Sequence, residues 1–190
     1  HLQHAVVATE DGNFWQHDGV DWNAVEKAAR SGLEKGGFSR GGSTITQQLA
    51  KGVFLSSDRP MGRKAREAMI AFWLEAWLTK DQILERYLSN VYFGDNGYGL
   101  RAAALHYFNR APERLTIPQA AMLAGLLKAP SRLAPTSNLK GARARAALVT
   151  QAMVDAGYLT QAERNALPPV RLNVRETPDA TTGTYFADWV

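Results

Sequence analysis

The sequence contains no cysteine. That excludes a disulfide framework, a thiolate nucleophile and any metal site built on thiolates. It leaves the compartment open, since exported proteins also dispense with cysteine. A long apolar run is missing too. A membrane-spanning helix takes about 18 or more apolar residues in succession, and the longest candidate, Ala68 to Leu78, is interrupted by Glu75. No leader peptide precedes the fold: the chain opens on His1-Leu2-Gln3-His4, already inside an expected helix. This reads as a fragment boundary, with any anchor expected in the parent protein. His1, His4 and His106 show no metal-ligand spacing. A G-x-S-x-G elbow, an H-E-x-x-H pair and a G-x-x-x-x-G-K-[ST] loop are all absent, as are repeats and low-complexity tracts.

What remains suits one helical domain. The 190 residues are 45% hydrophobic, enough for a packed core and too many for a disordered chain. Twenty-two Lys and Arg against 18 Asp and Glu leave a net charge of +4, compatible with an anionic substrate, a membrane surface or nucleic acid and selecting none. Helices are expected over Leu2 to Glu10, from a cap at Asp21 to about Lys35, from a cap at Ser43 through Leu49, and from Pro60 to Leu78. Thr79 with Gln82, Thr116 with Gln119 and Thr160 with Glu163 have the spacing of capping boxes. A turn over Asn90 to Gly97 leads to a helix near Tyr98 to Phe108, and another helix runs from Leu139 to Ala156, stopped by Gly157. Val170 to Val174 is expected as a strand and Pro178 to Gly183 as linker. The expected fold class is mainly α.

Three clusters carry chemistry. Glu10 and Asp11 end a helix, where acids oppose the macrodipole, and Phe14, Trp15, His17 and Gly19 follow at once. A carboxylate against those aromatics is partly desolvated, which raises its pKa and suits acid–base work; the plain alternative is a solvated helix end. Gly41-Gly42-Ser43 before a helix bearing Thr44, Thr46, Gln47, Gln48 and Lys51 offers free N–H groups and neutral donors to an anion, or is an ordinary capped helix. Arg59, Arg63, Lys64 and Arg66 crowd a helix N-terminus, where each cation costs a few tenths to about 1 kcal/mol. Glu67 stands beside them. Bound phosphates would relieve that repulsion; a surface strip paired with acids elsewhere is the alternative. Further along the same helix, Met69, Phe72, Trp73, Trp77 and Leu78 form an apolar stripe. Such a stripe is more often core, and with Val53, Phe54 and Leu55 it could instead seat a lobe in a lipid interface.

In chain order these segments resemble the signature motifs of the peptidoglycan glycosyltransferases (glycosyltransferase family 51), the family found in class A penicillin-binding proteins and in monofunctional enzymes. The motifs are Glu10-Asp11 with Phe14, His17 and Gly19; Gly42 to Leu49 with Lys51; Arg63-Lys64 with Glu67 and Leu74-Glu75; Ile83-Leu84-Glu85 with Tyr87-Leu88, Asn90, Tyr92-Phe93-Gly94 and Tyr98-Gly99; and Ala124 to Ser131. Gly52 and Ser89 depart from the family pattern, which commonly has Asn at both places.

The resemblance implies a lysozyme-like head over residues 1–176 with a smaller membrane-associated jaw at about 51–78, and a linker towards a further domain over 177–190. It implies polymerisation of lipid II into β-1,4-linked strands with inversion and loss of undecaprenyl diphosphate. Glu10 would be the catalytic base and Glu67 the second catalytic glutamate, aiding the leaving diphosphate directly or through a divalent cation, Mg or Mn. Lys51, Arg59, Arg63 and Arg66 would hold the diphosphate; Asp11, Phe14, Ser43, Thr44, Gln47 and Gln48 would line the cleft. No organic cofactor and no nucleic acid are implied. The partners would be lipid II, the growing glycan, the outer face of the bacterial cytoplasmic membrane and other cell-wall synthesis proteins, and the domain would be a target of the phosphoglycolipid moenomycin. A lysozyme-like muramidase or lytic transglycosylase is the alternative enzyme, but it gives Lys51, Arg59, Arg63 and Arg66 no task.

Overall fold

The computed structural model describes residues 1–35, 42–54, 60–95 and 97–174. Among them the chain forms ten α-helices and one 3-10 turn: α1 Leu2–Glu10, α2 Trp22–Lys35, α3 Ile45–Phe54, α4 Pro60–Trp77, α5 Lys80–Asn90, α6 Leu100–Phe108, the 3-10 turn Pro112–Arg114, α7 Ile117–Leu126, α8 Pro130–Leu133, α9 Leu139–Asp155 and α10 Gln161–Asn165. No sheet forms among the described residues; a single bridge joins Tyr92 to Tyr98. The mainly α expectation holds.

Local chemistry sets most boundaries. Thr79 with Gln82, Thr116 with Gln119 and Thr160 with Glu163 form reciprocal capping boxes. Asp21 caps α2 by accepting from Ala24 N–H at 3.0 Å. Two expectations are corrected. The cap of α3 is Thr44, whose hydroxyl accepts from Gln47 N–H at 3.1 Å while the Gln47 carbonyl accepts from Thr44 N–H at 3.1 Å. The segment from Val170 to Val174 is no strand: Val170 C=O accepts from Arg143, and Asn173 N–H donates to Tyr107 C=O, so its backbone is satisfied by helices rather than a ladder. The linker expected over Pro178 to Gly183 lies outside the described residues.

The helices form two packed groups. In the first, α7 is buried all round, with Met122, Leu123, Ala124 and Leu126 inaccessible, and α1 and α9 pack on it. Gly125 permits this approach: a Cβ there would lie 2.9 Å from Cγ of Arg145 on α9. In the second group α3 packs against α4 and α5. The turn after α1 ties the two together. Gly19, at φ +94, lies against the backbone of Ala71 in α4, where a Cβ would come within 3.0 Å of the Ala71 carbonyl carbon. The functional residues gather where the groups meet.

Apart from Leu78, which packs against the core, the apolar stripe of α4 is not core. Met69, Trp73 and Trp77 are 71%, 56% and 73% exposed, and Phe72 with Val53 and Phe54 of α3 shares that exposure. The opposite face, with Ala71 and Leu74, is the buried one.

Candidate active site

Glu10 ends α1, half-buried, beside α3. Its Oε2 accepts from Gln48 Nε2 at 3.2 Å, and Gln48 Oε1 in turn accepts from the Tyr87 hydroxyl on α5 at 2.9 Å. Burial pushes the Glu10 carboxyl above the ordinary glutamate value, and the Asp11 charge adds to this. The Gln48 hydrogen bond and the positive charges of Arg145 and Lys128 act the other way. The result is a carboxylate more basic than an exposed glutamate, which suits it to taking a proton.

The second glutamate is joined to the first through polar contacts. Gln48 Nε2 also lies 3.5 Å from Ser43 C=O; the Ser43 hydroxyl accepts from Lys64 Nζ at 2.9 Å; and Lys64 donates to Glu67 Oε2. Glu67 is 1% exposed, and Arg63 Nε approaches its Oε1 at 3.3 Å. That approach is a charge contact without hydrogen-bond alignment, because both atoms are buried and neither has a hydrogen-bond partner. Glu67 is thus a buried carboxylate matched by two cations one turn before it on its own helix, an arrangement a helix otherwise disfavours at its N-terminus.

The other expected residues divide into two sets. Lys51 in the last turn of α3 and Arg66 on α4 are both exposed, on helices packed against each other. Arg59 lies outside the described residues. Ser43 and Gln48 stand in the chain between the glutamates, partly buried. Asp11, Phe14, Thr44 and Gln47 are buried. Thr44 and Gln47 are spent on the α3 cap. Phe14 is wholly inaccessible, with Lys80 Nζ over its ring at 4.7 Å. Asp11 accepts from Ile45 N–H at 2.9 Å, so it ties the start of α3 to the end of α1. It also accepts from His17 Nε2 at 2.9 Å, while His17 Nδ1 accepts from Gly19 N–H at 3.1 Å, which fixes the ring proton on Nε2.

A second, partly buried network braces the same joint. Glu75 Oε1 accepts from Thr46 Oγ1 at 2.6 Å and from Lys80 Nζ at 2.8 Å, and Lys80 also reaches His17 C=O. Tyr87, Lys128 and Arg145 are residues that the sequence alone leaves without a task at the site. Tyr87 and Lys128 lie inside signature motifs, which is the signal that could have found them. Arg145 comes from α9 and comes near Glu10 only through packing.

A divalent cation implied by the resemblance finds no cage here. Among the described residues there is no group of three or more His, Cys, Asp and Glu side chains, and Glu67 is already matched by Lys64 and Arg63. This donor set does not fit a cation held by the protein alone.

The geometry is that of a helical domain with a desolvated carboxylate at one end of a run of polar contacts and a cation-flanked carboxylate at the other. The family described as Transglycosylase matches residues 1–154, and the chain belongs to that family. It is 45% identical over 188 residues to penicillin-binding protein 1A of Escherichia coli (strain K12), a match covering 98% of this chain and 22% of that protein. It is 40% identical over 190 residues to penicillin-binding protein 1A of Aquifex aeolicus (strain VF5), covering 100% of this chain and 26% of that protein. The chain therefore spans about a quarter of the length of these relatives. A crystal structure of penicillin-binding protein 1A from Haemophilus influenzae aligns with 70% of this chain and 17% of its own at a TM-score of 0.48 and 28% identity.

Proposed function

We infer that this chain is a peptidoglycan glycosyltransferase domain that polymerises lipid II into β-1,4-linked glycan. The observation that carries the reading is the continuous polar chain Glu10–Gln48–Ser43–Lys64–Glu67, which couples a desolvated carboxylate to a cation-flanked one. Glu10 removes the proton from the acceptor 4-hydroxyl as that oxygen attacks the anomeric carbon of the lipid-linked donor. The donor diphosphate leaves from the opposite face, so the α-linked donor gives a β product. Base catalysis of this kind contributes about 10²–10⁴-fold. Lys51, Arg63, Lys64, Arg66 and the expected Arg59 stabilise the charge of the leaving diphosphate, and this accelerates the reaction more than the base does. Glu67 holds Arg63 and Lys64 in place.

The proposal extends to organisation. The glycosyltransferase domain is taken as residues 1–176, a lysozyme-like head with the jaw at about 51–78, followed by linker over 177–190. No helix among the described residues is long and apolar enough to cross a membrane. The exposed Val53, Phe54, Met69, Phe72, Trp73 and Trp77 instead support peripheral seating of the jaw on the outer face of the cytoplasmic membrane, where its lipid-linked substrate resides.

Incubating the chain with labelled lipid II in detergent and resolving the products by length tests the reading. The expected result is a ladder of lengthening glycan. Shortening of finished glycan, with lipid II untouched, would instead favour a cleaving enzyme.

A further inference from the structure

Tyr87 is 3% exposed, and its hydroxyl donates at 2.9 Å to Gln48 Oε1. Burial, with the charges of Glu10 and Asp11, pushes the phenol well above its ordinary value, so it remains a donor at every accessible pH. The Gln48 amide is then fully committed. Its carbonyl accepts from Tyr87; its nitrogen faces Glu10 Oε2 at 3.2 Å and Ser43 C=O at 3.5 Å. Turned over, the amide would set its oxygen against two other oxygens. Released from Tyr87, it would carry a partly buried, unsatisfied carbonyl and swing toward water.

We propose that Tyr87 is a positioning residue: its buried hydroxyl fastens the Gln48 carbonyl so that the Gln48 nitrogen stays on the Glu10 carboxylate. The inference rests on the reading of Glu10 as the base, and adds a residue from α5 that acts on Glu10 through Gln48. Glu10 is faced by Asp11 from the end of its own helix, by Gln48 from α3, by Tyr87 from α5, by Lys128 after α7 and by Arg145 from α9. Of these, Gln48 is the one hydrogen-bond donor to its carboxylate, so what holds Gln48 sets the proton affinity of the base.

The test is titration of the Glu10 side-chain carboxyl by 13C NMR in the 190-residue chain, as wild type, Tyr87→Phe, Gln48→Ala and the double variant. Tyr87→Phe and Gln48→Ala should each move the midpoint upward by about half a unit to one unit, and the double variant should move it no further than Gln48→Ala alone. An unmoved midpoint in Tyr87→Phe, or a full additional shift in the double variant, would overturn the proposal. The acid limb of the kcat/KM profile should rise with the midpoint, whereas a merely structural role would lower the rate at every pH and leave the limb in place. A moved midpoint that the limb does not follow would keep Tyr87 as the positioning residue and remove Glu10 as the base. One readout needs no Tyr87 variant, should Phe fail to fold there: the Tyr87 hydroxyl proton should be protected from exchange in the wild type and lose that protection in Gln48→Ala. Equal protection in both would contradict the contact.

Discussion

Glu10 works against the stability of the domain that carries it. Burial raises its carboxyl above the ordinary value, so the folded state holds the proton to higher pH than the unfolded chain does. Its stabilising contribution is therefore complete on the acid side and is lost as pH rises through the folded-state value. Glu10→Gln should melt at or above the wild-type temperature near pH 7.5, with the difference shrinking towards pH 4; a variant less stable than wild type at pH 7.5 would contradict this. At this scale the sequence is only partly legible. Glu10, Ser43 and Glu67, singled out by chemical type and spacing, are brought together by polar contacts. That Asp11 also braces α3 is not legible, because its partner, Ile45 N–H, is 34 residues away, and that distance is closed only by the packing of α1 near α3.

Elements are more legible, because caps are local. The boxes at Thr79, Thr116 and Thr160 need only the next three residues. The α3 cap stands one position beyond the expected Ser43 although its signal is present: Gln47 stands three residues after Thr44, whereas Thr46 stands three after Ser43 and cannot return the bond. That shift of one frees the Ser43 hydroxyl for Lys64. Val170 to Val174 has strand composition but no neighbouring strand among the described residues, and composition alone cannot supply one. The start of α3 is a joint between its own box and Asp11. Asp11→Ala leaves Ile45 N–H and His17 without their acceptor and should cost about 2 kcal/mol in urea unfolding. A loss below a few tenths of a kcal/mol would mean that Asp11 does not hold the helix.

For the whole molecule, the two helix groups meet at one polar seam, and α4 turns an apolar face outward beyond it. Periodicity on α4 announces two faces and cannot say whether protein or lipid covers the second, since both select the same pattern. Its exposure separates stability from membrane affinity. Replacing Trp73 and Trp77 together by Ala should change unfolding free energy by less than about 1 kcal/mol, as expected of surface positions. The same change should weaken co-sedimentation with anionic lipid vesicles at least several-fold. Equal partitioning of variant and wild type would contradict membrane seating by this face. In the proposed function one carboxylate at the seam, Glu10, takes the proton in glycan polymerisation. The most direct measurement is polymerisation of labelled lipid II by wild type and Glu10→Gln, with moenomycin binding recorded on the same samples. The expected result is polymer from wild type, none from Glu10→Gln, and moenomycin binding retained by both; polymer from Glu10→Gln at a rate near that of wild type would contradict it.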